Sequence, residues 1–210
     1  MTLLTPLNFY HLTSTPSHIP PAPKTATMPF RIRDALPCPS NTDAKFITSA
    51  FDSCIPHLAT IGSATQWGTT PLSSARPGFI TRHVTAIADA EKYRLTGSGP
   101  PVRVLIAEAL LPSGEHIPVG AATLRGGYLP QYVLDQKHLQ EITSRALAGE
   151  EGEFMFLEIL VTDFSEATKE YRKGAGAALV KYTREWVRRE LGMGVMYVEC
   201  WAGNEGKLVR

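Results

Sequence analysis

The sequence predicts a mixed α/β (α+β) domain in which helices flank a mostly antiparallel sheet. Two observations carry this. Phe154–Thr162 (FMFLEILVT) is a nearly continuous apolar run, as expected of a central strand covered on both faces. It leads through a polar connection into a long amphipathic helix, Gly174–Leu191, and a further strand, Val195–Trp201. Upstream, Val102–Leu110 and Ile117–Leu124 flank Pro112-Ser113-Gly114-Glu115 and read as a hairpin with a glycine-containing turn.

The remaining elements follow in order. Pro29-Phe30-Arg31-Ile32-Arg33 alternates apolar and polar residues, a short strand. Thr42-Asp43 is a plausible N-cap for a helix with Phe46, Ile47, Ala50 and Phe51 on its apolar face, and Pro56 at or near its end. Residues 63–77 are looser. Helical spacing returns over Gly78–Leu95 through Ile80, Val84, Ile87 and Ala88, and Gly97-Ser98-Gly99-Pro100-Pro101 breaks it. Residues 126–152 are mixed, with a short helix expected near Asp135–Ala148. In the long C-terminal helix, Leu179, Tyr182, Thr183, Trp186 and Val187 share a face. Arg188 and Arg189 suit its negative end, and Gly192 its C-terminus.

Composition bounds the rest. The 210 residues are 43% hydrophobic, enough for one closed core. A net charge of +1 argues against a strongly basic nucleic-acid binder and an acidic disordered chain. No apolar run approaches the roughly 18 residues that span a bilayer, so neither nucleic acid nor membrane is an expected partner. Cys38, Cys54 and Cys200 form no paired motif, against a disulfide framework or a zinc site, and favour a cytoplasmic location. The six histidines are scattered without ligand spacing, and no metal site is expected. Residues 1–27 contain thirteen Ser, Thr or Pro and read as a disordered tail, leaving residues 28–210 as the domain. Met28 stands just before the first strand as an alternative start.

The stretch that carries chemistry is FLEILVTDFSEATKEYRKGAGAALVKYTREW. A buried strand runs through a loop into Arg172-Lys173-Gly174-Ala175-Gly176-Ala177, which opens the helix. Small residues admit a close ligand, and the first helical N–H groups lack internal partners. The helix dipole, Arg172 and Lys173 add positive charge, a recipe for pyrophosphate. Glycine packing or capping alone is the other reading. GxGxxG fails because Leu179 stands at the third glycine, and no GK[ST] is present.

This strand–loop–RKGAGAAL–helix unit resembles motif A (Q/R-x-x-G-x-G/A) of the GNAT family of acyl-CoA N-acetyltransferases. Gly174 and Gly176 match its glycines. Tyr171 stands at the Gln/Arg position, with Arg172 one place later, and the connection from Thr162 to Tyr171 is several residues longer than usual. The element order over residues 30–210 is also that of the family, with similarity to fungal members of unassigned substrate.

The resemblance implies a GNAT-like fold and acetyl transfer from acetyl-CoA, as co-substrate and without metal, to a primary amine of a small molecule or protein. It implies that the backbone of Leu160, Val161 and Thr162 meets the pantetheine arm, and that the motif from Tyr171 onward binds the cofactor. The amides of Arg172, Lys173, Gly174, Ala175, Gly176 and Ala177 would cradle the pyrophosphate, and Asn204 would touch the cofactor. A backbone N–H near Val161 or Thr162 would stabilise the oxyanion. Glu158, a carboxylate in an apolar strand, is the candidate general base, its pKa expected to rise on burial. Pairing with an arginine of a neighbouring strand, or exposure, is the equal alternative.

The tyrosine that usually protonates the leaving thiolate would fall just after Arg210. The domain is therefore expected to lack the family's last helix and two strands, leaving one sheet edge open. A shortened gene model, a fragment and a pseudoenzyme are three explanations. The alternative function is a non-catalytic acyl-CoA-binding or interaction domain. Asp52, His57, Trp67 and His83 either line an acceptor site or have ordinary surface and core roles. The oligomeric state is left open, a homodimer included.

Overall fold

The computed structural model describes residues 7–11, 30–150 and 152–201. Its strands are β1 (Leu7–His11), β2 (Arg31–Asp34), β3 (Val102–Leu110), β4 (His116–Gly126), β5 (Phe154–Thr162) and β6 (Val195–Trp201). They form one sheet in the order β1-β6-β5-β4-β3-β2. Every neighbouring pair is antiparallel except β5 and β6, which are parallel. The helices are α1 (Thr42–Thr60), α2 (Leu72–Ala75), α3 (Phe79–Thr96), α4 (Gln131–Leu134), α5 (Gln140–Leu147) and α6 (Ala175–Arg189). The mixed α/β class with a mostly antiparallel sheet is therefore present.

The pleat sorts the core into two faces. Val104, Ile106, Ala121, Ile159 and Val161 pack with Ile47, Phe51 and Ile55 of α1 and Ile87 of α3. Leu105, Ala107, Ala122, Leu124, Met155 and Leu157 pack with Leu179 and Val187 of α6 on the other face. Gly120 lets α6 come close: a Cβ there would lie 3.3 Å from Leu179 Cδ1 and 3.0 Å from Val161 O.

Several expectations change. Within the stretch 1–27, Leu7–His11 is an edge strand that pairs antiparallel with β6, so β6 does not form the open edge. The rest of 1–27, and Met28, lie outside the described residues. The N-cap of α1 is Asn41, in the left-handed region at φ 52°, not Thr42-Asp43. Asp43 instead turns its carboxylate to Arg33, which donates bonds of 2.7 and 2.9 Å to it. Pro56 lies inside α1, which continues to Thr60. The short helix expected near Asp135–Ala148 is present as α5, preceded by a 3-10 turn at Lys137–Leu139, and α4 is an additional short helix.

His83 takes a core role and gives the fold a pH dependence. It is 2% exposed, packed against Phe51 and Phe79, and its Nε2 has no hydrogen-bond partner among the described residues. Burial, with Arg82 beside it, lowers its pKa from 6.5 to about 4. The folded protein keeps the ring neutral, whereas the unfolded chain takes up a proton below about 6.5. Its contribution is therefore complete above that pH and is lost as pH falls towards 4, by about 3 kcal/mol in total. His83→Phe should lose less of its urea midpoint than wild type between about pH 7 and about pH 4. Equal losses would contradict this.

Candidate active site

The parallel pair β5–β6 is joined through α6. Its strands pair from Phe154↔Val195 to Leu157↔Val198 and then part. Beyond that point β5 continues to Thr162 along β4, and β6 continues to Trp201 along β1. The C-terminal halves of two parallel strands thus form an open fork. In α/β sheets, ligands enter where parallel strands end and the crossover helix begins.

Register shows which groups line the fork. The Asp163 N–H donates to Val119 O at 2.9 Å, towards β4. By the alternation of an antiparallel pair, Val161 also turns its backbone groups towards β4, while Leu160 and Thr162 turn theirs to the open side. Leu160 is 40% exposed. The Cys54 thiol on α1 donates to the Thr162 carbonyl at 3.3 Å, and burial pushes that thiol up to about 12. Of the three expected residues, Val161 is thus directed away from the fork.

At the start of α6, Gly174 has φ 92°, a left-handed conformation that favours glycine. The Tyr171 and Arg172 amides donate to Thr168 O, and the Ala175 amide to Arg172 O. The Lys173, Gly174, Gly176 and Ala177 amides have no acceptor among the described residues. The expected cradle is therefore narrower than Arg172–Ala177. Arg172 folds back instead, donating to Ser165 O at 3.1 Å with its guanidinium 4.5 Å from the Phe164 ring. Tyr171 packs against the core beneath α6, and Ala175 is buried. Ala177 is exposed and opens a groove of about 540 Å³ that runs past Lys181, Arg184 and Arg188 over Met193 and Met196. These three cations line a concave surface, with Glu185 among them. Asn204 lies outside the described residues.

Glu158 stands at the fork. Thr123 pairs with Ile159 and Leu124 with Leu157, so Glu158 is the extra residue of a β-bulge, a device that re-aims side chains. Its side chain is 5% exposed. One oxygen accepts from Arg125 Nε of β4 at 2.7 Å and the other from Arg82 of α3. The arginine pairing left open by the sequence is therefore present, with a second arginine added. These three residues line a cleft of about 630 Å³ with Tyr128, Tyr132 and Asp135.

Sequence reasoning missed Arg82, Arg125, Tyr132 and Glu199. Glu199 alone had a signal: it is the lone carboxylate of VMYVECW, as Glu158 is of FMFLEILVT. The other acceptor candidates are held elsewhere. His57 stacks on Phe164 at 4.0 Å, Trp67 packs against Phe51, and Asp52 accepts the Ser73 N–H at 3.1 Å. Among the described residues, no cluster of His, Cys, Asp or Glu could hold a metal ion, and no helix is long and apolar enough to cross a membrane.

Neither the models of known protein families nor the curated proteins contain a match to this chain.

Proposed function

We propose that this chain is a GNAT-like N-acetyltransferase that transfers an acetyl group from acetyl-CoA to a primary amine of a small molecule or protein, in the cytoplasm. The observation that carries the reading is the fork: two parallel strands that part after Leu157 and Val198, with the α6 N-terminus reached from its β5 arm.

The residues fit such a co-substrate. Leu160 and Thr162 present strand backbone to the open side, where an extended amide-containing arm can bind like an added strand. The free N–H groups of Gly176 and Ala177 and the helix dipole suit a pyrophosphate. Neither residue carries a side chain larger than a methyl group. Lys181, Arg184 and Arg188 outnumber Glu185 in the adjoining groove, where a nucleotide phosphate would lie. Acetyl-CoA supplies the activated acyl group. The chain supplies orientation and, through the N–H groups facing the fork, stabilisation of the oxyanion.

A second reading, a non-catalytic acyl-CoA-binding or interaction domain, is favoured by one observation. Both oxygens of Glu158 already accept guanidinium N–H bonds, so this carboxylate is not a free base. Thiol release from acetyl-CoA across a panel of primary amines separates the two. Amine-dependent release is the expected result. Stabilisation by acetyl-CoA without turnover on any amine would favour the second reading.

A further inference from the structure

We propose that Glu199 is the group that accepts the proton of the incoming amine, at a fork where Glu158 is held by arginines as a positioning carboxylate. The proposal rests on the acetyltransferase reading and names the base that this reading needs.

Leu157↔Val198 is the last paired position of β5 and β6, so Glu158 and Glu199 are the next residues on the two arms as they part. Their surroundings differ. Glu158 is bonded by Arg82 and Arg125. Glu199 accepts one hydrogen bond on Oε1, from the Tyr132 hydroxyl at 2.5 Å. Its Oε2 is buried and has no partner among the described residues.

Two neighbouring elements, α4 and β5, contribute to its electrostatics. Tyr132 comes from α4 and Glu158 from β5. Arg82 of α3 acts on both Tyr132 and Glu158, while β1 places Phe9 opposite Glu199 in register. Burial pushes the Glu199 carboxyl up, the Tyr132 hydroxyl draws it back, and Glu158 pushes it up again; the net position is above the ordinary carboxylate range. Burial and Glu199 also raise the Tyr132 phenol, which keeps it a hydrogen-bond donor. Two nearby carboxylates with divergent environments mark separate roles in proton transfer, and a base closer to neutral pH is the more effective one.

The step balances. A substrate ammonium gives one proton, through a water, to the Glu199 carboxylate and becomes a neutral amine. Its lone pair forms the C–N bond at the acetyl carbonyl carbon. The C–S bond breaks with its electron pair going to sulfur, and the second N–H proton is transferred to that thiolate. The products are the N-acetylated amine, a thiol and one proton on Glu199, which passes to water.

The test uses the full chain and two readouts. In the first, side-chain ¹³C-labelled glutamate is titrated by NMR without ligand. One resonance should titrate above the ordinary glutamate range and vanish in Glu199→Gln. All glutamates titrating in the ordinary range would overturn the proposal. In the second, Glu199→Gln should lower kcat for the best amine about 100-fold or more and remove the acid limb of the pH–rate profile, with acetyl-CoA affinity unchanged. Tyr132→Phe should shift that limb to higher pH, because the hydroxyl stabilises the carboxylate. Wild-type kcat and pH profile in Glu199→Gln would overturn the base assignment while leaving acetyl transfer standing. A wild-type chain that binds no acetyl-CoA would overturn the acetyltransferase reading, and the assignment with it.

Discussion

Replacing Arg33 by methionine should lower the unfolding free energy by about 3–5 kcal/mol, the usual cost of removing one member of a buried ion pair. Arg33 reaches from β2 to two other elements. It holds Asp43 of α1 through Nη1 and Nη2, and Glu108 of β3 through Nε at 2.6 Å. Asp43 is 7% exposed and Glu108 5%. Burial pushes the Asp43 carboxyl up, but Arg33 and the Leu36 N–H more than reverse this and hold it below the ordinary range. Its stabilisation is therefore present above the ordinary aspartate pKa and lost on acidification. Methionine fills the space and leaves a buried charge without its cation. Glu108 keeps Arg31, so the lower part of the range is expected. Urea unfolding near neutral pH measures the change. Arg94→Ala, which removes an exposed pair with Glu91, should leave the urea midpoint where it was. Similar effects from both variants would contradict a buried clamp.

The second large effect is on binding. Ala177→Glu should abolish acetyl-CoA binding and leave the fold intact. Residue 177 is exposed in the first turn of α6, where a glutamate suits the helix dipole and the free N–H groups. The same carboxylate occupies and repels at the proposed pyrophosphate position. Ala175 serves less well, because it is fully buried and a larger side chain there would test packing. At a hundredfold excess over Kd, a ligand adds about 2.7 kcal/mol to stability, a rise of about 5–10 °C in Tm for a chain of this size. Wild type should show that rise and Ala177→Glu should not, with equal Tm values in the absence of ligand. A lower ligand-free Tm in the variant would mean that the substitution had damaged the fold.

The sequence made some elements legible to the residue. β5 and β6 have the expected bounds because each is an apolar run between polar connections. α6 differs from expectation by one or two residues at each end because its 3.6-residue period is strong. What failed did so for physical reasons. Asp43 has a capping residue's chemistry, but its carboxylate is engaged by Arg33, ten positions away, and tertiary structure overrides the local preference. Leu7–His11 lies in a proline- and threonine-rich stretch whose composition hides a short edge strand.

The site was half legible. Gly174 and Gly176 announced a helix start, yet which amides remain free depends on loop bonds to Thr168 and Arg172. Glu158 stood out as a carboxylate in an apolar strand, but its partners lie 33 and 76 positions away. Glu199 carried the same signal and gained its place only from the parallel register that sets it beside Glu158.

Acetyl-CoA is proposed to bind at the fork and the α6 N-terminus. Isothermal titration of acetyl-CoA into the full chain and into Ala177→Glu tests it most directly. Saturable one-site binding to the wild type and none to the variant is the expected result. No binding to the wild type, or equal binding to both, would contradict it.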